Sequence, residues 1–136
     1  MADPFSIALS GAVTQTQRLA ASASNVANQR STGPLKPVED GPRAYQPIVA
    51  EQVAMAGPKG EPQGTRTVFR PANPAVRAEY QPDAPHADEN GLIASPNVDV
   101  LRESVERVQA LRGYQSNLAT LRAADEMERQ AIDLTA

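Results

Sequence analysis

The chain has no cysteine, no tryptophan, a single histidine and only 4% aromatic residues. The missing cysteines exclude a disulfide framework, thiol chemistry and cysteine-ligated metal. His86, with no second imidazole and no thiol in the sequence, leaves no metal-ligand spacing to read. The apolar content is mostly Ala and Val, so 136 residues have little from which to build a self-sufficient core. No run approaches the roughly 18 apolar residues that a membrane-spanning helix needs. Basic clusters are absent too, and a net charge of -3 with a pI near 5.1 argues against a nucleic-acid partner.

Chemistry-bearing motifs are equally scarce. The glycines sit beside prolines rather than between a strand and a helix, so there is no phosphate-binding loop. The run His86-Ala87-Asp88-Glu89-Asn90-Gly91 echoes the start of a calcium loop, but Asn97 stands where the bidentate acid belongs. The acidic pairs Glu39-Asp40, Asp88-Glu89 and Asp125-Glu126 read as solvated turns and helix faces, not as acid/base pairs. The residues point to no enzyme, no cofactor, no metal and no small-molecule substrate.

What the sequence does carry is helical pattern at both ends. Asp3-Pro4 is a helix start, with a capping carboxylate and a proline suited to the first helical position. From there Phe5, Leu9, Ala12, Thr16, Leu19, Ala23 and Val26 recur at the alternating spacing of a coiled-coil seam, widened by Val13. Between Pro4 and Gln29 the only formal charge is Arg18, and the other face is small and polar. A solvated helix face normally carries Lys and Glu, so this composition predicts a helix covered on several sides by neighbours. Ser31-Thr32-Gly33-Pro34 ends it. A second, highly charged helical pattern runs from about Asn97 to Leu134, with Leu101, Val105, Val108, Leu111 and Leu118 as its apolar stripe. Ser95 and Asn97 are candidate caps, with Asp99 and Glu103 favourably placed at the positive end of the dipole.

Eleven of the twelve prolines lie between Pro34 and Pro96, which keeps long helices out of the middle. Two extended runs, Ala44–Met55 and Thr65–Phe69, flank Gly57-Pro58-Lys59-Gly60 and predict a hairpin over about 44–70. The expected fold is mainly α (α+β). Residues 1–30 and 97–136 form a discontinuous terminal helical domain, and 31–96 form a Pro/Gly-rich middle with the hairpin and an extended linker. An apolar Phe5–Val13 could pass for a signal segment, but Asp3 occupies the place of a positive flank, so export without a cleaved signal is expected.

Three stretches carry a family resemblance. The first helix reads Ala8-Leu9-Ser10-Gly11, Gln17-Arg18-Leu19 and Ala23-Ser24-Asn25-Val26-Ala27-Asn28. The block from Pro82 to Asp99 combines an Asp-rich, proline-containing turn, Gly91 before apolar residues, and Pro96-Asn97-Val98. The last helix adds Arg112-Gly113-Tyr114-Gln115-Ser116-Asn117. Together these resemble the bacterial flagellar basal-body rod protein family, most of all its proximal rod members. Leu92 replaces an aromatic often seen after the glycine, Ser104 a frequent methionine, and Gln29–Pro42 departs from the family's tyrosine-containing turn.

The resemblance implies a structural rod subunit, part of the drive shaft that transmits torque. It implies export by the flagellar type III apparatus and incorporation into the rod in the periplasmic space. Its partners would be copies of itself and other rod subunits, with no nucleic acid and no membrane insertion. On this reading Leu9, Val13, Leu19, Ala23, Val26, Leu101, Val105, Val108, Leu111 and Leu118 form an assembly seam. Asn25, Asn28, Arg112, Tyr114, Gln115 and Asn117 make specific polar contacts. Two other readings stand beside it: another rod subunit of the same set, and a soluble helical adaptor or export chaperone that is stably folded alone.

Overall fold

A computed structural model describes residues 3–37 and 41–133. Glu39-Asp40 and the expected helix end at Leu134 fall outside the described residues. In chain order the elements are α1 (Pro4–Ala27), β1 (Gly33–Pro34), β2 (Ile48–Ala56), β3 (Pro62–Pro71), β4 (Val76–Tyr80), β5 (Leu92–Pro96) and α2 (Val100–Asp133). Two long terminal helices packed together, with a hairpin from the proline-rich middle, agree with the expected α+β fold.

The start of α1 is fixed as its sequence suggests: Asp3 Oδ1 accepts from the Phe5 amide at 3.1 Å, and Pro4 needs no acceptor. The start of α2 differs from expectation. Asp99, rather than Ser95 or Asn97, is the cap, its Oδ1 accepting from the amides of Leu101 and Arg102 at 2.9 and 3.2 Å. Ser95 is instead buried in β5, and Asn97 donates its side-chain amide to the Pro74 carbonyl at 3.0 Å. The chain is held in a sheet up to Pro96, so Asp99 is the capping side chain immediately before the helix.

The helices run antiparallel. Arg18 meets Glu106, and Ser22 donates to the Glu103 carbonyl at 3.0 Å. With 24 and 34 residues at about 1.5 Å each, they span about 36 and 51 Å. The last turns of α2 therefore project past the start of α1. Strands β2 and β3 pair antiparallel, Ile48 opposite Pro71 through Met55 opposite Gly64, and the hairpin lies on α1. None of the described strands packs on α2.

A second, three-stranded antiparallel sheet, ordered β1-β5-β4, occupies part of what the sequence suggests is extended linker. The turn between β4 and β5 is built on Asp88, whose Oδ1 accepts from the amides of Asn90 and Leu92 at 2.9 and 2.8 Å. Ile93 in β5 is fully buried. Among the described residues it is the one large aliphatic side chain so covered; with it are buried Ala8, Ala12, Ala21, Ala94 and Ala110 and the rings of Pro47 and Pro96.

Candidate assembly interface

The contact between α1 and α2 is made of small and polar side chains. Ala8, Gly11, Ala12, Gln15, Ser22 and Asn25 are buried on α1, and Ala110 is the buried residue of α2. A Cβ on Gly11 would lie 2.5 Å from Asn117 Oδ1, and one on Gly113 would lie 2.9 Å from Gln15 Cδ. Each glycine thus receives a side chain of the other helix, and the two pairs set the register from both sides. Asn117 is held over Gly11 by donating to the Gly113 carbonyl at 2.8 Å.

Arg18, the one charge of α1, completes this seam. Its Nε donates to Glu106 Oε1 at 2.9 Å, its Nη2 bonds to the same oxygen, and its Nη1 donates to Gln15 Oε1 at 3.1 Å. Gln15 in turn donates to Gln52 Oε1 at 3.1 Å, which links α2, α1 and β2 in one polar chain.

Asn25 is the hub. Its Nδ2 donates to the Ile48 carbonyl and to Glu103 Oε1, both at 2.8 Å. Its Oδ1 accepts from the Ile48 amide and the Tyr45 hydroxyl, both at 3.0 Å. Both donors and both acceptor positions of the carboxamide are used, tying α1 to α2, to β2 and to the loop before it. At the other end of the hairpin Ser10 Oγ accepts from the Thr65 amide at 3.0 Å.

The large apolar residues lie elsewhere. Leu9, Val13, Leu101, Val105, Val108 and Leu111 are between 48% and 76% exposed. Ala23 is exposed, and Leu19, Val26 and Leu118 are half-buried. On α2, Leu101, Val105 and Val108 fall about half a helical turn from Glu106, Ala110 and Asn117, so this stripe faces away from α1. On α1 the arc holding Phe5, Leu9 and Val13 faces neither α2 nor, for the most part, the hairpin. The chain therefore leaves Leu101, Val105 and Val108 open on the side of α2 away from its own first helix, and covers Leu118 only in part.

The polar candidates divide. Asn25 and Asn117 work inside the chain, and Asn28 caps α1 by donating to the Ser24 carbonyl at 2.9 Å. Arg112 and Gln115 are exposed, Tyr114 is half-buried, and within the described residues none of the three side chains has a hydrogen-bond partner. Sequence reasoning missed Gly113, Gln15, Glu106 and Tyr45 as organisers. A signal existed for the glycines: each costs about 1 kcal/mol in a helix interior relative to Ala, so two at matching depths mark a close approach.

Among the described residues no cluster of His, Cys, Asp or Glu could hold a metal ion, and no helix is long and apolar enough to cross a membrane. Residues 89–134 match the family described as flagellar basal body rod FlgEFG protein C-terminal. The flagellar basal-body rod protein FlgC of Yersinia enterocolitica is 39% identical over 96% of this chain and 94% of its own length. The chain belongs to the FlgC family of flagellar basal-body rod proteins. The FlgC of Salmonella typhimurium is 37% identical over the same shares, and that of Agrobacterium fabrum 34% identical over 97% of this chain and 96% of its own. Members of the FlgC family are structural proteins, and this chain is one of them rather than an enzyme. The matched segment 89–134 covers β5, the cap of α2 and its whole outward stripe.

Proposed function

We propose that this protein is a subunit of the proximal part of the flagellar rod, the drive shaft that carries torque from motor to hook. It reaches the periplasmic space through the flagellar type III apparatus and joins the rod by its terminal helices. The observation that carries this reading is the inversion of polarity between inside and outside. Small and polar residues join α1 to α2, while Leu9, Val13, Leu101, Val105, Val108 and Leu111 face outward. Full burial of such a side chain stabilises by about 1.5–3 kcal/mol, and about half of that gain is left for contacts with other chains. Those six residues, with Leu19, Ala23, Val26 and Leu118, make the seam to copies of this chain and to other rod subunits. Arg112, Tyr114 and Gln115 supply polar contacts beside it. Terminal segments 1–30 and 97–136 act as one packing unit, with 31–96 set to its side.

A core of alanines around one buried isoleucine supports a free chain of low stability that gains further order on docking. The test is to isolate basal bodies from cells carrying a tagged copy and to ask whether the protein co-purifies with their rod fraction, with swimming lost on its deletion. Absence from basal bodies refutes the reading. So does a protein that stays in the cytoplasm bound to another exported subunit, the behaviour of an export chaperone.

A further inference from the structure

A groove of about 660 Å³ runs between β2 and the first turns of α2, with Ala21, Ser22 and Asn25 of α1 as its floor. All seven residues from Pro47 to Val53 contribute to one wall. Only the edge of a strand, not a face, presents consecutive residues in this way. The polarity of that edge follows from the ladder. Ala72 donates to the Pro47 carbonyl at 2.7 Å, so 47 and 72 are a hydrogen-bonded pair. In the continuous register up to Met55 the pairing alternates, which turns the backbone groups of Ile48, Ala50 and Gln52 away from β3 and toward the groove. The Asn25 carboxamide takes both the N–H and the C=O of Ile48, as the peptide group of an adjoining strand would. Beyond it, the outward groups of Ala50 and Gln52 have no partner among the described residues.

We propose that this groove receives an extended segment of a different polypeptide, which adds a third strand to the hairpin along the edge started by Asn25. Strand addition of this kind uses backbone hydrogen bonds for affinity and alternate side chains for specificity. The floor of Ala21 and Ser22 selects small inward side chains. Of the lining carboxylates, Glu106 is paired with Arg18 and Glu51 with Arg70, while Asp99 and Glu103 face Arg102 alone, so the groove keeps a negative excess and the segment carries Lys or Arg. One strand fills the space, because α2 closes the far side and leaves no room for a sheet behind it. The proposal rests on the assembly reading above, in which a neighbouring rod subunit supplies the segment.

The test places a photoreactive benzoylphenylalanine at Val49 in the full chain and isolates basal bodies after irradiation. The expected result is an adduct with a different polypeptide, mapped by mass spectrometry to an extended stretch with small residues and a basic one. Ala50→Pro removes an outward N–H without touching the ladder, a position that edge strands tolerate. It should lower the adduct per incorporated subunit at least about fivefold, a figure equivalent to one lost backbone bond. Ala54→Pro, on the same edge but beyond the groove, should leave it unchanged. Far-UV circular dichroism of both purified variants checks the fold; if Ala50→Pro unfolds, Gln52→Pro takes its place under the same criteria. An adduct with a second copy, an adduct insensitive to the proline, or no adduct from subunits present in basal bodies overturns the proposal. Absence of the subunit from basal bodies refutes the rod assignment instead.

Discussion

Replacing Val108 by Asp separates what the chain needs to fold from what it needs to assemble. Val108 is 51% exposed on the side of α2 turned away from α1, so about half of its burial is still available. Covering that half in a contact contributes about 1 kcal/mol. A carboxylate at the same place costs several kcal/mol in a dry contact unless it is paired or protonated. The combined loss is about 3–4 kcal/mol per subunit contact, or two to three powers of ten in association at about 1.4 kcal/mol each. In the free chain the same change costs only about 1 kcal/mol, from partial packing and a few tenths of helix propensity. The purified variant should therefore keep the helicity and melting profile of the parent, be secreted, fall about a hundredfold in isolated basal bodies, and abolish swimming. Val108→Ala should weaken incorporation only about fivefold. Wild-type swimming and incorporation of the Asp variant would refute the outward seam. Collapse of its free-chain helicity would refute the orientation of Val108.

Leu19→Asp, at a half-buried position beside the α1–α2 contact, should reduce assembly as Val108→Asp does but also lower free-chain helicity, read by circular dichroism. Asn25→Ala strands the Ile48 backbone groups and leaves the Tyr45 hydroxyl with Ser24 alone, and should destabilise the free chain by about 2–4 kcal/mol in urea unfolding. Gly113→Val drives a branched side chain into Gln15, breaking its links to Gln52 and Arg18, and should cost about 1–3 kcal/mol by the same measurement. Glu106→Gln should cost no more than about 1 kcal/mol, because the Arg18 pair is partly solvated, and the difference from the parent should shrink in high salt.

The two helices were legible because their signals are local. Asp3-Pro4 caps α1, and a period of three to four marks both apolar stripes. The destination of those stripes was not legible. A seam-like spacing of Leu9, Leu19 and Val26 predicts a partner helix but not whose, and in the free chain the partner helix is met by Gly11, Gln15 and Ser22 instead. The small sheet was hidden for a different reason. Its strands are five, five and two residues long, β1 reaches β5 across most of the middle region, and β5 ends in the Ser95-Pro96 that reads as a helix start. Asn25 could be named from sequence as a polar contact but its partners could not, since Ile48 and Glu103 come to it only through tertiary packing.

The division of labour between the two faces of α1 follows from what each kind of contact can do. Hydrogen bonds at fixed angles, such as those of Asn25, and the fit of Gln15 against Gly113 define one register, yet add only about 1 kcal/mol each to stability. Apolar area adds more but tolerates sliding. In this chain the directional contacts lie inside and the apolar stripes outside, so on the proposed rod reading each subunit presents a defined shape whose strongest attraction is for its neighbours. A shaft under torque needs that combination: geometry set within the subunit, and cohesion spread over many contacts between subunits. Exchanging the two, for instance by filling the α1–α2 contact with leucines at Gly11, Ala12 and Ala110, should stabilise the lone chain only by prying its helices apart. The wider spacing would displace Asn25 from Glu103 and carry the outward stripes out of register with their neighbours.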